Sequence, residues 1–279
     1  MPQAFQMVDV FGSADFSGNP LAVVAGADHL DTEGMQRIAR WLNLSETAFL
    51  FAPTTTEADY RVRIFTLDGE LPFAGHPTLG SCHAWLFAGG QARRSDRIVQ
   101  ECGVGLVELR RDGDILAFAA PPTIRSGVPT QDELGEALEL LRIGPDQVAG
   151  AQWVDNGPGW IAVKLHSAEA VLALEPLRSY PRHVDVGVIG AHRAGAEVAW
   201  EIRTFFSDHQ GAVIEDPVTG SFNASAAQWL YASGAQSGPY TAAQGTRIGR
   251  QGRIHVSRDA QDQVWVGGRT RTLFSGGTL

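Results

Sequence analysis

Residues 70–80 read ELPFAGHPTLG and residues 215–225 read EDPVTGSFNAS, and the two segments share a glutamate, a proline and a glycine at equivalent positions. The matched pairs are Glu70 with Glu215, Pro72 with Pro217, Gly75 with Gly220 and Gly89 with Gly234. All four share one offset (220 − 75 = 145), which is close to half of the 279 residues. The repeat predicts two similar halves, each with a glycine turn that leads into a helix. We expect one active site in the cleft between the two halves.

The segments after the two glycine turns, residues 76–88 and 221–233, are both predicted to be helices, and neither contains Lys, Arg, Asp or Glu. A helix without charge on any face is typically buried. The sequence therefore predicts a mixed α/β (α+β) fold of two pseudo-symmetric halves. Each half is expected to be a curved, barrel-like mixed sheet around a central buried helix. The N-terminus of such a helix presents unpaired N–H groups and favours a carboxylate or a developing negative charge.

The segment 120–129 begins Ala-Pro-Pro and is the best candidate for a linker between the halves. We assign residues 1–120 to the N-terminal half and residues 121–279 to the C-terminal half, while allowing the chain ends to cross between them. Asp31 is predicted to cap a helix that ends near Leu42. Residues 97–119 are predicted to hold two strands joined at 111–114.

Composition restricts the class of protein. The chain is 44% hydrophobic and 19% charged, with a formal net charge of −9, which argues against a general nucleic-acid or anionic-membrane binder. It has two cysteines, no leader pattern and no apolar run of roughly 18 residues. We expect a cytoplasmic protein that does not bind membranes or nucleic acid.

His76, Asp216 and Ser221 are the candidate catalytic residues beside the glycine turns. Together they are the residue types of a hydrolase triad, but no serine lies in a G-x-S-x-G elbow. Simpler alternatives are that His76 is a turn or capping residue and that Ser221 is the N-cap of its helix.

Glu46 is a further candidate, because it lies where a helix is followed by the apolar strand Thr47–Phe51. A carboxylate among apolar residues can have its ionisation tuned for base chemistry near neutral pH. The alternative is an ordinary glutamate on a surface loop.

Several segments resemble the phenazine-biosynthesis PhzF-like isomerase family, in the right order and over nearly the whole chain. They are GNPLAVV (18–24), NLSETAFL (43–50), FTLDGELPFAGHPTLG (65–80), EDPVTGS (215–221), QGTRIGRQGRIHV (244–256) and VGG (266–268). The resemblance implies the fold of diaminopimelate epimerase and proline racemase, in which two similar α/β halves each wrap a curved sheet around a central helix. That is the fold predicted from the repeat.

The resemblance also implies roles for individual residues. Glu46 corresponds to the base that removes a proton from carbon, while His76, Asp216 and Ser221 line the pocket and bind substrate or steer the proton. The implied substrate-binding positions are Ser45, Gly75, Thr219 and Gly220. At the two glycines, backbone N–H groups would hold negative charge on the substrate.

The related epimerases use one cysteine from each half as paired acid and base. In this chain the corresponding positions are Ala74 and Thr219, while Cys82 and Cys102 lie elsewhere. A single-carboxylate proton shift is therefore favoured over the two-thiol mechanism. No cofactor is implied, and no His or Cys pair has metal-ligand spacing.

The leading hypothesis is a cofactor-independent isomerase that moves a proton on a small carboxylate-bearing metabolite, with Glu46 as general base. One alternative is an epimerase or racemase of the same fold, with two opposed acid–base groups. Another is a metabolite-binding protein without turnover. A homodimer is the expectation that the resemblance gives for the assembly.

Overall fold

The computed structural model describes residues 4–208 and 210–276. The chain divides into two compact units: the first comprises the residues up to Ala119 and those from Gly267 onward, and the second comprises Ala120–Val266. Residues 121–279 were predicted to form the C-terminal half, with the chain ends allowed to cross between the halves. In the structure, the last strand begins in the second unit and continues into the first, so residues 267–276 belong to the first unit.

The described residues of the first unit form two helices and eight strands before the final strand enters it. These elements are β1 (Ala4–Val10), β2 (Asn19–Ala25), α1 (Thr32–Leu42), β3 (Thr47–Phe51), β4 (Tyr60–Phe65), β5 (Glu70–Leu71), α2 (Gly75–Phe87), β6 (Ile98–Cys102), β7 (Gly105–Asp112) and β8 (Ile115–Ala119).

The remaining elements follow in the second unit, apart from the end of the final strand. They are β9 (Arg125–Gly127), α3 (Gln131–Leu141), β10 (Val148–Asp155), β11 (Ile161–Leu165), α4 (Ala168–Leu172), β12 (Asp185–Ala191), β13 (Trp200–Ser207), β14 (Val213–Glu215), α5 (Gly220–Ala232), β15 (Tyr240–Gln244), β16 (Gly252–Arg258) and β17 (Val264–Gly276).

The sheet of the first unit closes on itself. Its strands follow the order β1, β2, β3, β4, β6, β7, β8 and β17, and β17 pairs back onto β1. The β2–β3 and β4–β6 pairs are parallel. Helix α2 contacts β1, β2, β3, β4, β6 and β8, so it is the central helix of this barrel.

The second unit repeats the same pairing pattern. Strands β10, β11, β12, β13, β15 and β16 are neighbours in that order, with β11–β12 and β13–β15 parallel. The short strand β14 pairs with β13 as β5 pairs with β4. Helix α5 contacts β10 and β16. The predicted fold of two similar halves, each a curved mixed sheet with a central buried helix, is confirmed.

Both central helices pack closely against their sheets, and glycines make this approach possible. A Cβ added to Gly80 of α2 would lie 2.5 Å from Leu21 Cδ2. A Cβ added to Gly187 of β12 would lie 2.0 Å from a ring carbon of Phe222 on α5. Both distances are shorter than van der Waals contact, so a larger residue would separate helix and sheet.

Smaller elements test the local predictions. Asp31 caps α1, because its side chain accepts a hydrogen bond from the Gly34 N–H at 2.7 Å, and α1 ends at Leu42 as predicted. The prediction of two strands over 97–119 was wrong, since that segment forms β6, β7 and β8. The turn at 111–114 joins β7 to β8 as predicted, and a further turn joins Cys102 to Gly105, whose φ of 99° favours glycine.

Candidate active site

In the first unit, the structure brings together Glu46 and His76, which are 30 positions apart in sequence (76 − 46 = 30). His76 is the second residue of α2, and Glu46 lies in the turn before β3. His76 Nε2 lies 3.6 Å from Glu46 Oε2, and the two side chains are only 4% and 16% exposed. Glu46 is therefore not an ordinary surface glutamate, and its carboxylate faces an imidazole.

The imidazole of His76 is neutral and has a defined tautomer. Burial lowers its pKa to about 3, so the ring carries no charge near neutral pH. Asn19 Nδ2 lies 3.3 Å from Nδ1. Because an amide nitrogen only donates, Nδ1 accepts and the ring proton is on Nε2. Nε2 has no hydrogen-bond partner among the described residues, which leaves its N–H able to donate to a substrate atom.

The other predicted positions of the first unit lie next to this pair. Ser45 precedes Glu46 and is partly buried, and Gly75 is the buried first residue of α2. The N-cap of α2 is Ala74, which has no side chain able to bond the helix N–H groups. His76 is thus not a capping residue, and the first turn of α2 presents backbone N–H groups beside the imidazole.

In the second unit, Asp216 and Thr219 belong to one buried hydrogen-bond network. Thr219 Oγ1 donates to Asp216 Oδ2 at 2.5 Å and lies 2.5 Å from Thr204 Oγ1. Gln244 Nε2 donates to both threonine hydroxyls at 3.0 Å and to the carbonyl of Asp216 at 3.2 Å. Because the Thr219 proton is given to a carboxylate, this hydroxyl orients Asp216 and is not itself a base.

Thr219 also defines the start of α5. It is the N-cap, its side chain makes no capping hydrogen bond, and its N–H donates instead to Gln244 Oε1 at 3.0 Å. Gly220 is the first residue of the helix and Ser221 the second. The alternative in which Ser221 is the N-cap was wrong.

Ser221 accepts hydrogen bonds at its side-chain oxygen and at its carbonyl oxygen. Its Oγ accepts a hydrogen bond from Trp160 Nε1 at 3.1 Å, and its carbonyl accepts one from Asn156 Nδ2 at 2.9 Å. Ser221 is 8% exposed and Trp160 only 4%. Its serine hydroxyl therefore has a fixed direction.

Each central helix is also held by a glutamine, at a repeated position that was not among the predicted site residues. Gln100 Nε2 donates to Thr78 Oγ1 at 3.0 Å, and Gln244 Oε1 accepts from Asn223 Nδ2 at 2.9 Å. Thr78 and Asn223 are each the fourth residue of their helix. The offset between the glutamines (244 − 100 = 144) is within one residue of the offset between the glycine turns. That spacing was visible in the sequence and could have identified both residues.

The two cysteines are not placed to act as thiol bases. Burial raises the pKa of the Cys82 thiol to about 12 and also raises that of Cys102, so neither is a thiolate near neutral pH. Within residues 4–208 and 210–276, no cluster of three or more His, Cys, Asp or Glu side chains could hold a metal ion. No helix in that part of the chain is long and apolar enough to cross a membrane.

A cavity of about 310 Å³ in the second unit contains none of the predicted site residues. Asp185 lines it, with a side chain 10% exposed that lies 2.7 Å from His183 Nε2. Burial raises the pKa of the Asp185 carboxyl to about 6.

Comparisons with known proteins agree with the fold and the motifs. A family model described as phenazine biosynthesis-like protein, PhzC-PhzF, matches residues 8–276. The chain is 37% identical to Antisense-enhancing sequence 1 of Schizosaccharomyces pombe, over 98% of this chain and 97% of that protein. It is 34% identical to trans-2,3-dihydro-3-hydroxyanthranilate isomerase of Pseudomonas aeruginosa, over 90% of this chain and 89% of that protein.

Among solved structures, the PhzF-family phenazine biosynthesis protein of Bacillus anthracis superimposes with a TM-score of 0.82 over 100% of both chains, at 20% identity. That likeness shows a shared fold, and the family model shows membership over almost the whole sequence. The chain therefore belongs to the PhzC-PhzF phenazine biosynthesis-like family and is a PhzF-like isomerase.

Proposed function

We propose that the protein moves a proton between carbon atoms of a small carboxylate-bearing metabolite, without a cofactor, and that Glu46 is the general base. The observation that carries this proposal is the 3.6 Å approach of Glu46 Oε2 to His76 Nε2. A carboxylate held among buried groups can remove a proton from carbon, provided that the charge left on the substrate is stabilised.

His76 serves this step as a neutral hydrogen-bond donor. With its pKa near 3, the ring does not compete with Glu46 for the proton as a base near neutral pH. Its Nε2–H donates to the substrate atom on which negative charge develops, beside the N–H groups of the first turn of α2. Because only one carboxylate acts, the proton leaves and returns on one face of the substrate.

Asp216 and Ser221 are proposed to bind the same substrate. The network around Thr219 supports this role, since it fixes the direction of the Asp216 carboxylate. A double-mutant cycle tests it: in groups that act as a unit, the losses from Glu46→Gln and Asp216→Asn are strongly non-additive. Additive losses of activity would show that Asp216 does not act on the substrate together with Glu46.

The first substrate to test is trans-2,3-dihydro-3-hydroxyanthranilate, which the Pseudomonas aeruginosa relative is named for. Turnover in D₂O is expected to place deuterium on carbon in the product. Glu46→Gln is expected to reduce both turnover and deuterium incorporation by roughly 10²- to 10⁴-fold, the usual contribution of a general base. Glu70→Gln is the matched control. Glu70 belongs to the same unit as Glu46, but its carboxylate forms an ion pair with Arg63 on the neighbouring strand.

Undiminished exchange in Glu46→Gln would exclude Glu46 as the base. If the wild type does not turn over this compound, the same exchange assay is run on a panel of unsaturated carboxylates. Tight binding without exchange of any of them would favour the metabolite-binding alternative. The epimerase alternative predicts inversion at a stereocentre instead. The homodimer and the cytoplasmic location stay predictions.

A further inference from the structure

The second residue of each central helix is held from the same place in its own unit. In the first unit, Asn19, the first residue of β2, bonds His76. In the second unit, Trp160, which directly precedes β11, bonds Ser221. Strands β2 and β11 correspond, because each pairs antiparallel with the strand before it and parallel with the next strand along the chain. Trp160 thus has the place in the second unit that Asn19 has in the first.

The hydrogen bond from Trp160 sets the polarity of the Ser221 hydroxyl. An indole N–H only donates, so Ser221 Oγ accepts along that direction. The hydroxyl proton must then point elsewhere, and it remains able to donate. A serine held in this way presents a donor to a negatively charged group, which suits a carboxylate at the N-terminus of α5.

The loop that carries Trp160 is itself well fixed. Asp155 Oδ1 accepts hydrogen bonds from the N–H groups of Gly157 at 2.7 Å and Gly159 at 2.9 Å. Asn156 donates to the Ser221 carbonyl. The Trp160 ring packs edge-on against Phe222 with a centroid distance of 5.7 Å. The hydrogen bonds from Trp160 and Asn156 to Ser221 therefore both come from one constrained loop, residues 156–160.

We propose that Trp160 is a positioning residue for substrate binding: its indole N–H turns the Ser221 hydroxyl so that the hydroxyl donates to the substrate carboxylate. Asn156 fixes the same serine by donating a hydrogen bond to the Ser221 carbonyl. This assignment rests on the proposed function, in which Ser221 binds the substrate.

The first experiment needs no substrate. In a ¹⁵N-labelled protein, the indole N–H signal of Trp160 is identified by its disappearance in Trp160→Phe. Ser221→Ala is expected to shift that signal and to speed its exchange with solvent, because the acceptor is removed. An unchanged signal in Ser221→Ala would overturn the assignment and would leave the role of Glu46 untouched.

The second experiment measures the KM for trans-2,3-dihydro-3-hydroxyanthranilate. Trp160→Phe keeps the aromatic packing and removes only the donor, so KM is expected to rise about tenfold with kcat retained, as for the loss of one neutral hydrogen bond. In the Ser221→Ala background, Trp160→Phe is expected to have no further effect. Additive losses in the double variant would overturn the proposal.

Trp200→Phe is the matched control. Trp200 Nε1 also donates to a side-chain oxygen, that of Gln236, at 3.1 Å, and it is similarly buried. Its replacement is expected to leave KM unchanged, whereas an equal rise in KM would show that any lost indole donor has this effect and would overturn the proposal. If Glu46→Gln retains exchange while the Trp160 signal responds as expected, the proposed base fails and the serine geometry stands.

Discussion

The repeated glutamines give the sharpest test of how each central helix is held. Gln244 and Gln100 are both fully buried, and each is bonded to the fourth residue of a central helix. Replacement by Met keeps nearly the same length and volume and removes every polar atom of the side chain. The chemical change is therefore the same at the two positions. The two variants differ in how many buried hydrogen-bond donors lose their acceptor.

The expected magnitudes follow from those partners. Gln244→Met removes the acceptor of two buried N–H hydrogens. One is the Thr219 N–H and the other is on Asn223 Nδ2, whose second hydrogen still bonds the Thr219 carbonyl. At about 1–3 kcal/mol for each, the cost is roughly 2–6 kcal/mol of unfolding free energy. Gln100→Met leaves one donor, the Tyr60 hydroxyl, at a cost of about 1–3 kcal/mol. The Gln244 variant should be the less stable of the two.

Equilibrium urea unfolding followed by tryptophan fluorescence measures both variants against the wild type. A variant that does not fold at all lies at the upper end of the expected loss, because total stabilities are only about 5–15 kcal/mol. A loss below about 1 kcal/mol for Gln244→Met, or a larger loss for Gln100→Met, would refute the reasoning that unsatisfied donors dominate.

Two further predictions concern the second unit. Burial raises the pKa of Asp185 to about 6 from an ordinary 3.8, so the folded state favours the protonated carboxyl. The contribution of this group to stability is greatest below pH 4, and up to about 3 kcal/mol of it is lost as the pH rises through 6. Asp185→Asn should remove this fall in urea titrations at pH 4 and 7, and an unchanged difference between the two would contradict it. Gly187→Ala should cost about 1–3 kcal/mol through the clash with Phe222. Gly135→Ala, on the exposed face of α3 with no atom within 4 Å, should instead stabilise by about 0.5–1 kcal/mol; equal effects in thermal unfolding would rule out the clash.

Much of the fold could be predicted because the internal repeat is still visible in the sequence. The glycines that begin each central helix and the lack of charge along both helices required no tertiary information. The position of strand β17 could not be predicted in the same way. Its assignment to the first unit depends on its pairing with β1 and β8, which only the structure shows. The third strand within 97–119 was missed although Gly103 and Gly105 mark the turn between β6 and β7.

The site could be predicted only in part. Glu46 and His76 were found from motifs, and their approach needed the fold to bring a loop before β3 onto the start of α2. Asn19 and Gln244 lie in segments that carry the family resemblance, but no role was assigned to them or to Trp160. The role of an amide or an indole depends on its partner, which lies dozens of residues away in the sequence for Asn19 and Trp160 and about twenty for Gln244.

The two units differ most at the second residue of their central helices. In the first, that residue is a histidine whose ring lies near a carboxylate and whose tautomer is set by Asn19. In the second, it is a serine whose direction is set by Trp160. Neither the neutral imidazole nor the hydroxyl titrates near neutral pH, so both second residues are suited to donate hydrogen bonds and neither is suited to act as a base. The proposed proton transfer therefore depends on Glu46, and an epimerase would need Asp216 as a second, opposed base in place of the substrate-binding role proposed for it.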